Sequence, residues 1–318
     1  MCTGLQINYP GGSVLGRTMD IEMSLDYQLN YIPRNYQFAK DLFNQPLVSR
    51  YRMMGLGFND YIPLKDGINE HGLVGITNEF PEFNLYDKTV DPTFDNNEVT
   101  YLRSLDLLNY LLGMCRDVSE VIEQIATIRI AQTDAKGQSV ISPPFHYMFT
   151  DPSGRNIVLE PKNGQFEVKE NPYQVMTNSP KLERQYHRLE RYMDPEKPEE
   201  VNAVKGLPGG YDPVSRFVRA YYFSQLSLKP TNQSEAFASL YRILNVLSLP
   251  VGFLKNRQRE DYTVTLYISG YDPNTKELFV QDYQNPKVYR VSFEDIVDLD
   301  IYQTIPIPQN FKTDLLIH

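Results

Sequence analysis

A chain of 318 residues, 41% hydrophobic and 22% charged, has the balance of a soluble globular protein with one large domain or two small ones. Its 31 basic and 40 acidic side chains leave a formal charge of −9 and no basic stripe, which argues against a general nucleic-acid binder. Two cysteines are too few for a disulfide framework, four scattered histidines give no metal-ligand spacing, and no apolar run approaches the ~18 residues of a membrane span.

The first residues lack the charged and apolar regions of a leader and read as a strand, so a cytoplasmic enzyme is expected. Gly4 to Tyr9 alternates, Pro10-Gly11-Gly12 supplies a turn, and Val14 to Met19 continues as the second arm of a hairpin. Tyr27 to Pro33 and Leu73 to Thr77 read as further strands, the latter fed by a turn over 66–72. Leu102, Leu105, Leu108, Leu111 and Leu112 recur at helical spacing, which predicts a helix over 99–114. Asp117 and Glu120 then form a capping-box-like start for a second helix, and Cys115 between the two reads as an inert buried thiol. Strands over 145–149, 156–160 and 165–169 are separated by turns at Asp151-Pro152-Ser153-Gly154 and Lys162-Asn163-Gly164. A polar, proline-marked loop is expected from about Asp194 to Pro213, then helices over 214–226 and 234–247, then a strand pair about Asp272-Pro273-Asn274. Hairpins in place of β-α-β alternation predict an α+β layered fold of mainly antiparallel sheets, in a single domain over 1–318. The 23 tyrosines and 16 phenylalanines, with no tryptophan, suit two-faced strands and half-wet pockets.

Cys2 carries the chemistry. Removal of Met1 before this small residue would give a mature chain of 2–318, in which one residue holds both a nucleophilic thiol and a free α-amine. Such an amine, with an ordinary pKa near ~8, serves as base for its own nucleophile without any histidine. Position alone does not separate this from a cysteine that falls second by chance. The Pro10-Gly11-Gly12 turn would fold Arg17 and Asp20 back beside Cys2. There Asp20 would accept from the amine or thiol and Arg17 would favour the thiolate, though the two read equally well as an ordinary ion pair.

Met1-Cys2-Thr3-Gly4, Gly16-Arg17-Thr18-Met19-Asp20, Pro33-Arg34-Asn35-Tyr36 and Asp66-Gly67-Ile68-Asn69-Glu70 with Gly72-Leu73 open a series of motifs. It continues through Met176-Thr177-Asn178-Ser179-Pro180, Gly206-Leu207-Pro208-Gly209, Ser215-Arg216-Phe217-Val218-Arg219-Ala220 and the Asp261 to Tyr267 run. In this order, over nearly the whole chain, the set resembles the choloylglycine hydrolases, the family of bile salt hydrolases and penicillin V acylases. The resemblance implies a four-layer αββα sandwich of the N-terminal-nucleophile hydrolase type. It implies cofactor-free, metal-free hydrolysis of a linear amide in a small acylated amine, with no nucleic acid or membrane partner, in a homotetramer. By position, Cys2 would be nucleophile and amine base, Arg17 and Asp20 its support, Asn178 an oxyanion donor and Arg216 an organising cation. Read from sequence alone, Asn178 fits an Asn-Ser-Pro turn and Arg216 a salt bridge just as well.

Two features depart from the family. Bile salt hydrolases carry asparagine, and penicillin V acylases commonly tyrosine, shortly after the Asn-Glu-x-Gly-Leu motif; here that position is Glu79, with Asn78 one before it. A one-residue slip turns a strand side chain to the other face, so Asn78 does not simply substitute, and a carboxylate beside a thiolate is costly. The expectation is that a main-chain N–H near 78–79 completes the oxyanion hole, with a low-activity or non-catalytic binding relative as the alternative. The segment 181–205 is also shorter than in typical bile salt hydrolases, which bears on the tetramer. Ser248-Leu249-Pro250-Val251-Gly252 leans slightly toward the penicillin V acylase branch.

Overall fold

The computed structural model describes residues 1–311 except 24, 59–62, 84–85, 92, 94–97, 193–205 and 257–260. Most of the expected loop from Asp194, and much of the segment 181–205, therefore lies outside the described residues.

The chain opens with β1 (Cys2–Tyr9), β2 (Gly12–Glu22), β3 (Tyr27–Ile32), β4 (Gln37–Lys40), β5 (Pro46–Val48), β6 (Met53–Phe58), β7 (Leu64–Asn69), β8 (Val74–Glu79) and β9 (Thr100–Leu102). Helices α1 (Ser104–Met114) and α2 (Val118–Ile125) precede β10 (Ile128–Ile130), β11 (Phe145–Thr150), β12 (Asn156–Lys162), β13 (Gln165–Glu170) and β14 (Val175–Met176). Then come α3 (Leu182–Leu189), α4 (Pro213–Leu226), α5 (Gln233–Leu247), β15 (Leu254–Asn256), β16 (Asp261–Asp272), β17 (Glu277–Asp282), β18 (Val288–Ser292) and β19 (Gln303–Pro306).

Two antiparallel sheets dominate. One runs β14-β1-β2-β16-β17-β18 with β15 on β16, and the other β13-β12-β11-β8-β7-β6-β3-β19. They lie face to face: Leu15 and Tyr267 of the first sheet share one core with Leu29, Ile76 and Met148 of the second. Helices α4 and α5 cover the outer face of the first sheet, and α1 that of the second, where leucines 107, 108, 111 and 112 are buried. Along the strands, apolar residues reach both faces because both are covered, unlike a sheet with one wet face. At Gly4 the sheets approach so closely that a Cβ would come within 2.4 Å of Ile76 Cδ1.

Local chemistry explains most element ends. Asp117 caps α2 by accepting from the Glu120 amide, as its spacing suggests, and Asp212 and Asn232 do the same for α4 and α5. The helix read over 99–114 starts later, because residues 100–102 pair as β9 with β10 instead. Residues 66–69, read as part of a turn, are strand β7; the turn is confined to 70–72, where Gly72 has φ +88° and a Cβ would meet Pro273 O at 2.1 Å. Asn69 closes that turn by accepting from the His71 and Leu73 amides.

Candidate active site

Antiparallel pairing of β1 with β2 sets Cys2 opposite Met19, with Arg17 two residues further along the same face. That face looks into the space between the sheets. The Cys2 thiol, 4% exposed, receives Arg17 Nη2 at 2.8 Å and lies 3.9 Å from the main-chain oxygen of Asp20. Burial opposes the Arg17 cation, but Cys2, Asp66 and Tyr267 more than offset it, so this guanidinium holds its proton more tightly than an ordinary one.

The backbone of Cys2 is held as firmly as its side chain. Its amide donates to Asn178 Oδ1 at 2.7 Å, and its carbonyl accepts from Arg216 Nη1 at 2.6 Å. Arg216, fully buried on the first turn of α4, also donates to Thr3 Oγ1, to Asn178 Oδ1 and to the Tyr211 carbonyl. The planar fork of an arginine meets these divergent acceptors at once. Burial lowers its proton affinity, with Asp20 and Cys2 opposing that.

Asp20 departs from the expectation for its side chain. Its carbonyl, not its carboxylate, faces Cys2, and the Met1 ammonium donates to that same carbonyl at 2.7 Å. The carboxylate lies on the other face, where Oδ1 accepts from Thr265 Oγ1 at 2.6 Å and no donor among the described residues reaches the buried Oδ2. A bulge in β16 makes this contact: Asp20 pairs with Thr265 but Met19 with Tyr267. The extra residue turns Thr265 toward Asp20 and Tyr267 into the space between the sheets.

Asn78 and Glu79 divide as strand alternation requires. Asn78 points inward and donates to the Met176 and Thr177 carbonyls at 3.2 and 2.9 Å, tethering the segment that leads to Asn178. The Glu79 side chain is exposed on the opposite face, beside Phe145. Its carbonyl accepts from Asn178 Nδ2 at 2.9 Å. The Phe80 amide bonds the carbonyl of Pro144, just before β11, so the peptide groups of Glu79 face the other edge, the one occupied by Asn178. Asn178 thus has Oδ1 committed to Cys2 and Arg216 and one Nδ2–H to Glu79, and its second N–H remains for another acceptor.

All seven residues singled out from the sequence therefore fall in one neighbourhood, although Asn78 and the Glu79 side chain do not face the sulfur. Sequence reading missed Thr265, and it missed Asp66 as a partner of Arg17 at 3.5 Å. Both sit in quoted motifs, but only the bulge and the stacking of the sheets show what they face. His146 is buried against Phe80 with Nε2 2.8 Å from Thr177 O, and burial holds it down at about 3, a neutral spacer through the physiological range. Cys115 is pushed up to about 12 by burial and nearby carboxylates, as an inert thiol should be. Among the described residues no cluster of His, Cys, Asp or Glu suits a metal ion.

A model of the linear amide C–N hydrolases, choloylglycine hydrolase family, matches residues 2–305. The bile salt hydrolase/transferase of Clostridium perfringens is 27% identical over 306 residues, 91% of each chain. The conjugated bile acid hydrolase of Lactobacillus gasseri is 25% identical, covering 95% of this chain and 96% of its own. Among solved structures, a variant of the conjugated bile acid hydrolase from Clostridium perfringens superposes with a TM-score of 0.83 at 24% identity, over 99% of this chain and 100% of that one. The penicillin V acylase of Agrobacterium tumefaciens gives 0.71 at 21%, over 93% and 87%. These neighbours share the sandwich fold.

Proposed function

The chain belongs to the linear amide C–N hydrolases of the choloylglycine hydrolase family, and on that premise we propose that Cys2, freed of Met1, is the nucleophile that cleaves an acylated amine. The observation that carries this reading is the three-way hold on one residue: Arg17 on its sulfur, Asn178 on its amide nitrogen and Arg216 on its carbonyl.

In the first half-reaction the α-amine takes the thiol proton and the sulfur attacks the amide carbonyl, forming a C–S bond and an oxyanion. The spare Asn178 N–H and the Glu79 peptide N–H are the donors for that oxyanion, worth a few kcal/mol each in a site closed to water. The ammonium then protonates the leaving nitrogen as the C–N bond breaks, which leaves a thioester. Water adds to the thioester with the amine again as base, and release of the acid restores the thiol. The Glu79 carboxylate points away from the sulfur, so it does not favour a non-catalytic reading.

The substrate is an N-acyl compound of the conjugated bile salt or penicillin V type. The leaning of residues 248–252 toward penicillin V is set against relatives named for bile acids, and turnover decides between them. The test is release of primary amine from glycocholate, taurocholate and penicillin V by the wild type and by Cys2→Ala, with removal of Met1 checked by intact mass. Cys2-dependent release from one of them supports the reading and names the branch. Equal release by Cys2→Ala, or turnover by chains that keep Met1, refutes it.

A further inference from the structure

Arg17 is the group that touches the nucleophile, and every N–H on its head is assigned. Nε donates to Thr18 O at 3.3 Å, and Nη2 meets Cys2 Sγ at 2.8 Å and Met19 Sδ at 3.4 Å. Nη1 donates to Lys65 O at 3.0 Å and lies 3.5 Å from Asp66 Oδ2. A guanidinium has five N–H groups, and five acceptors surround this one. None is left over for a substrate, so Arg17 acts on the sulfur.

Asp66 comes from the opposite sheet and is wholly buried. Its Oδ2 accepts from Tyr267 Oη at 2.8 Å and its Oδ1 from Tyr271 Oη. Both oxygens serve as acceptors, the pattern of an ionised carboxylate. Burial raises its proton affinity while Arg17 and the two phenols oppose that, and burial first, then the same carboxylate, keeps both phenols protonated. Strand alternation from the bulge onward turns Tyr267 and Tyr271 to this face.

The proposed reaction gives this arrangement a use. While Cys2 is a thiolate, its negative charge accompanies Arg17. In the thioester the sulfur is neutral, and a buried cation with no other anion would be costly and free to turn away. Resting on the nucleophile reading above, we infer that Asp66, held by Tyr267 and Tyr271, is the positioning residue for Arg17, a permanent counter-ion that keeps Nη2 on the Cys2 sulfur through both half-reactions.

The sign of its effect on the sulfur is diagnostic. An anion near Cys2 acting only through its charge would disfavour the thiolate, so removing it would make the thiol more reactive. An anion acting through Arg17 does the reverse. The experiment is the pH dependence of Cys2 carboxamidomethylation by iodoacetamide, with no amide substrate present and with Cys2→Ala as the blank. It can therefore fail while amide turnover stands, and the reverse. The charged and titratable groups that face Arg17 in this profile are Cys2 on β1, Lys65 and Asp66 on β7, and Tyr267 and Tyr271 on β16.

Asp66→Asn is expected to move the labelling profile to higher pH, with labelling about tenfold slower at pH 7, as for loss of one unit of thiolate stabilisation. Tyr271→Phe, which removes one anchor, is expected to move it the same way by about two- to threefold. A folded Asp66→Asn protein with an unchanged profile, or one displaced to lower pH, overturns the inference. If Asp66→Asn does not fold, the Tyr267→Phe/Tyr271→Phe pair decides by the same criterion.

Discussion

Lys65 offers a sharp test of the energetics around the site. Its carbonyl holds Arg17, while its ammonium lies 5.6 Å from the Phe58 ring centroid and 5.4 Å from that of Phe145, in a residue 8% exposed. No carboxylate among the described residues is within salt-bridge distance. Burial, and then Arg17, lower its pKa from 10.5 to about 8, with Asp106 opposing. Because the folded value lies below the unfolded one, the cost of holding the charge is complete below pH 8, shrinks as pH rises, and vanishes above the unfolded value. At 1.36 kcal/mol per unit the cost near neutrality is about 3 kcal/mol, an upper figure. Lys65→Met keeps the length and gives the rings a thioether in place of an ammonium. Urea unfolding at pH 7 is expected to show the variant more stable by about 1–3 kcal/mol, with the advantage fading toward pH 10.5. A variant equally stable or less stable at pH 7 would mean that the ring faces offset the burial cost in full, and the reasoning would be wrong.

The site itself gives three further expectations. Asn178→Ala removes the proposed oxyanion donor and the acceptor for the Cys2 amide, so kcat should fall about 100-fold or more in a protein that still melts cooperatively; a loss below tenfold would remove Asn178 from the oxyanion hole. Arg216→Lys keeps the charge but has one nitrogen for acceptors that diverge, which leaves buried carbonyls unpaired at about 1–3 kcal/mol each, so both Tm and turnover should drop. Full activity in that variant would contradict the assigned role. Glu79→Gln alters a side chain on the exposed face and leaves its peptide in place, so turnover within about twofold of wild type is expected, and a large gain would show that the carboxylate reaches the reaction after all.

Elements set by local signals were legible before the structure. The Pro10-Gly11-Gly12 turn fixed the register that brings Arg17 to Cys2, and Asp117 marked the start of α2 with a cap that the structure retains. The order of hairpins and helices pointed to stacked antiparallel sheets, and the motif series pointed to the family. What escaped depends on contacts across the fold. Apolar periodicity does not tell a helical turn from a short buried strand, so β9 was absorbed into α1. A bulge is one unpaired residue with no signature of its own, so Thr265 and Tyr267 read as neighbours on one face although they serve opposite ones. For the same reason Asp66 read as turn chemistry, when its partners lie 201 and 205 positions away. Asp20 was placed correctly as a residue, but which of its oxygens faces the thiol was fixed only by the pairing of β2 with β16.

The hold on Cys2 also bears on when the thiol becomes reactive. Its amide and carbonyl partners lie 176 and 214 positions along the chain. A residue second in the chain leaves the ribosome long before either partner has been made. Until α4 docks and Asn178 arrives, the β1–β2 hairpin alone can hold Cys2, without the partners that fix its amide and carbonyl. The full hold on Cys2 is therefore complete only once residues far along the chain have been made and packed. Thiol reactivity at residue 2 would report on the completed tertiary structure from inside the protein, with no added probe.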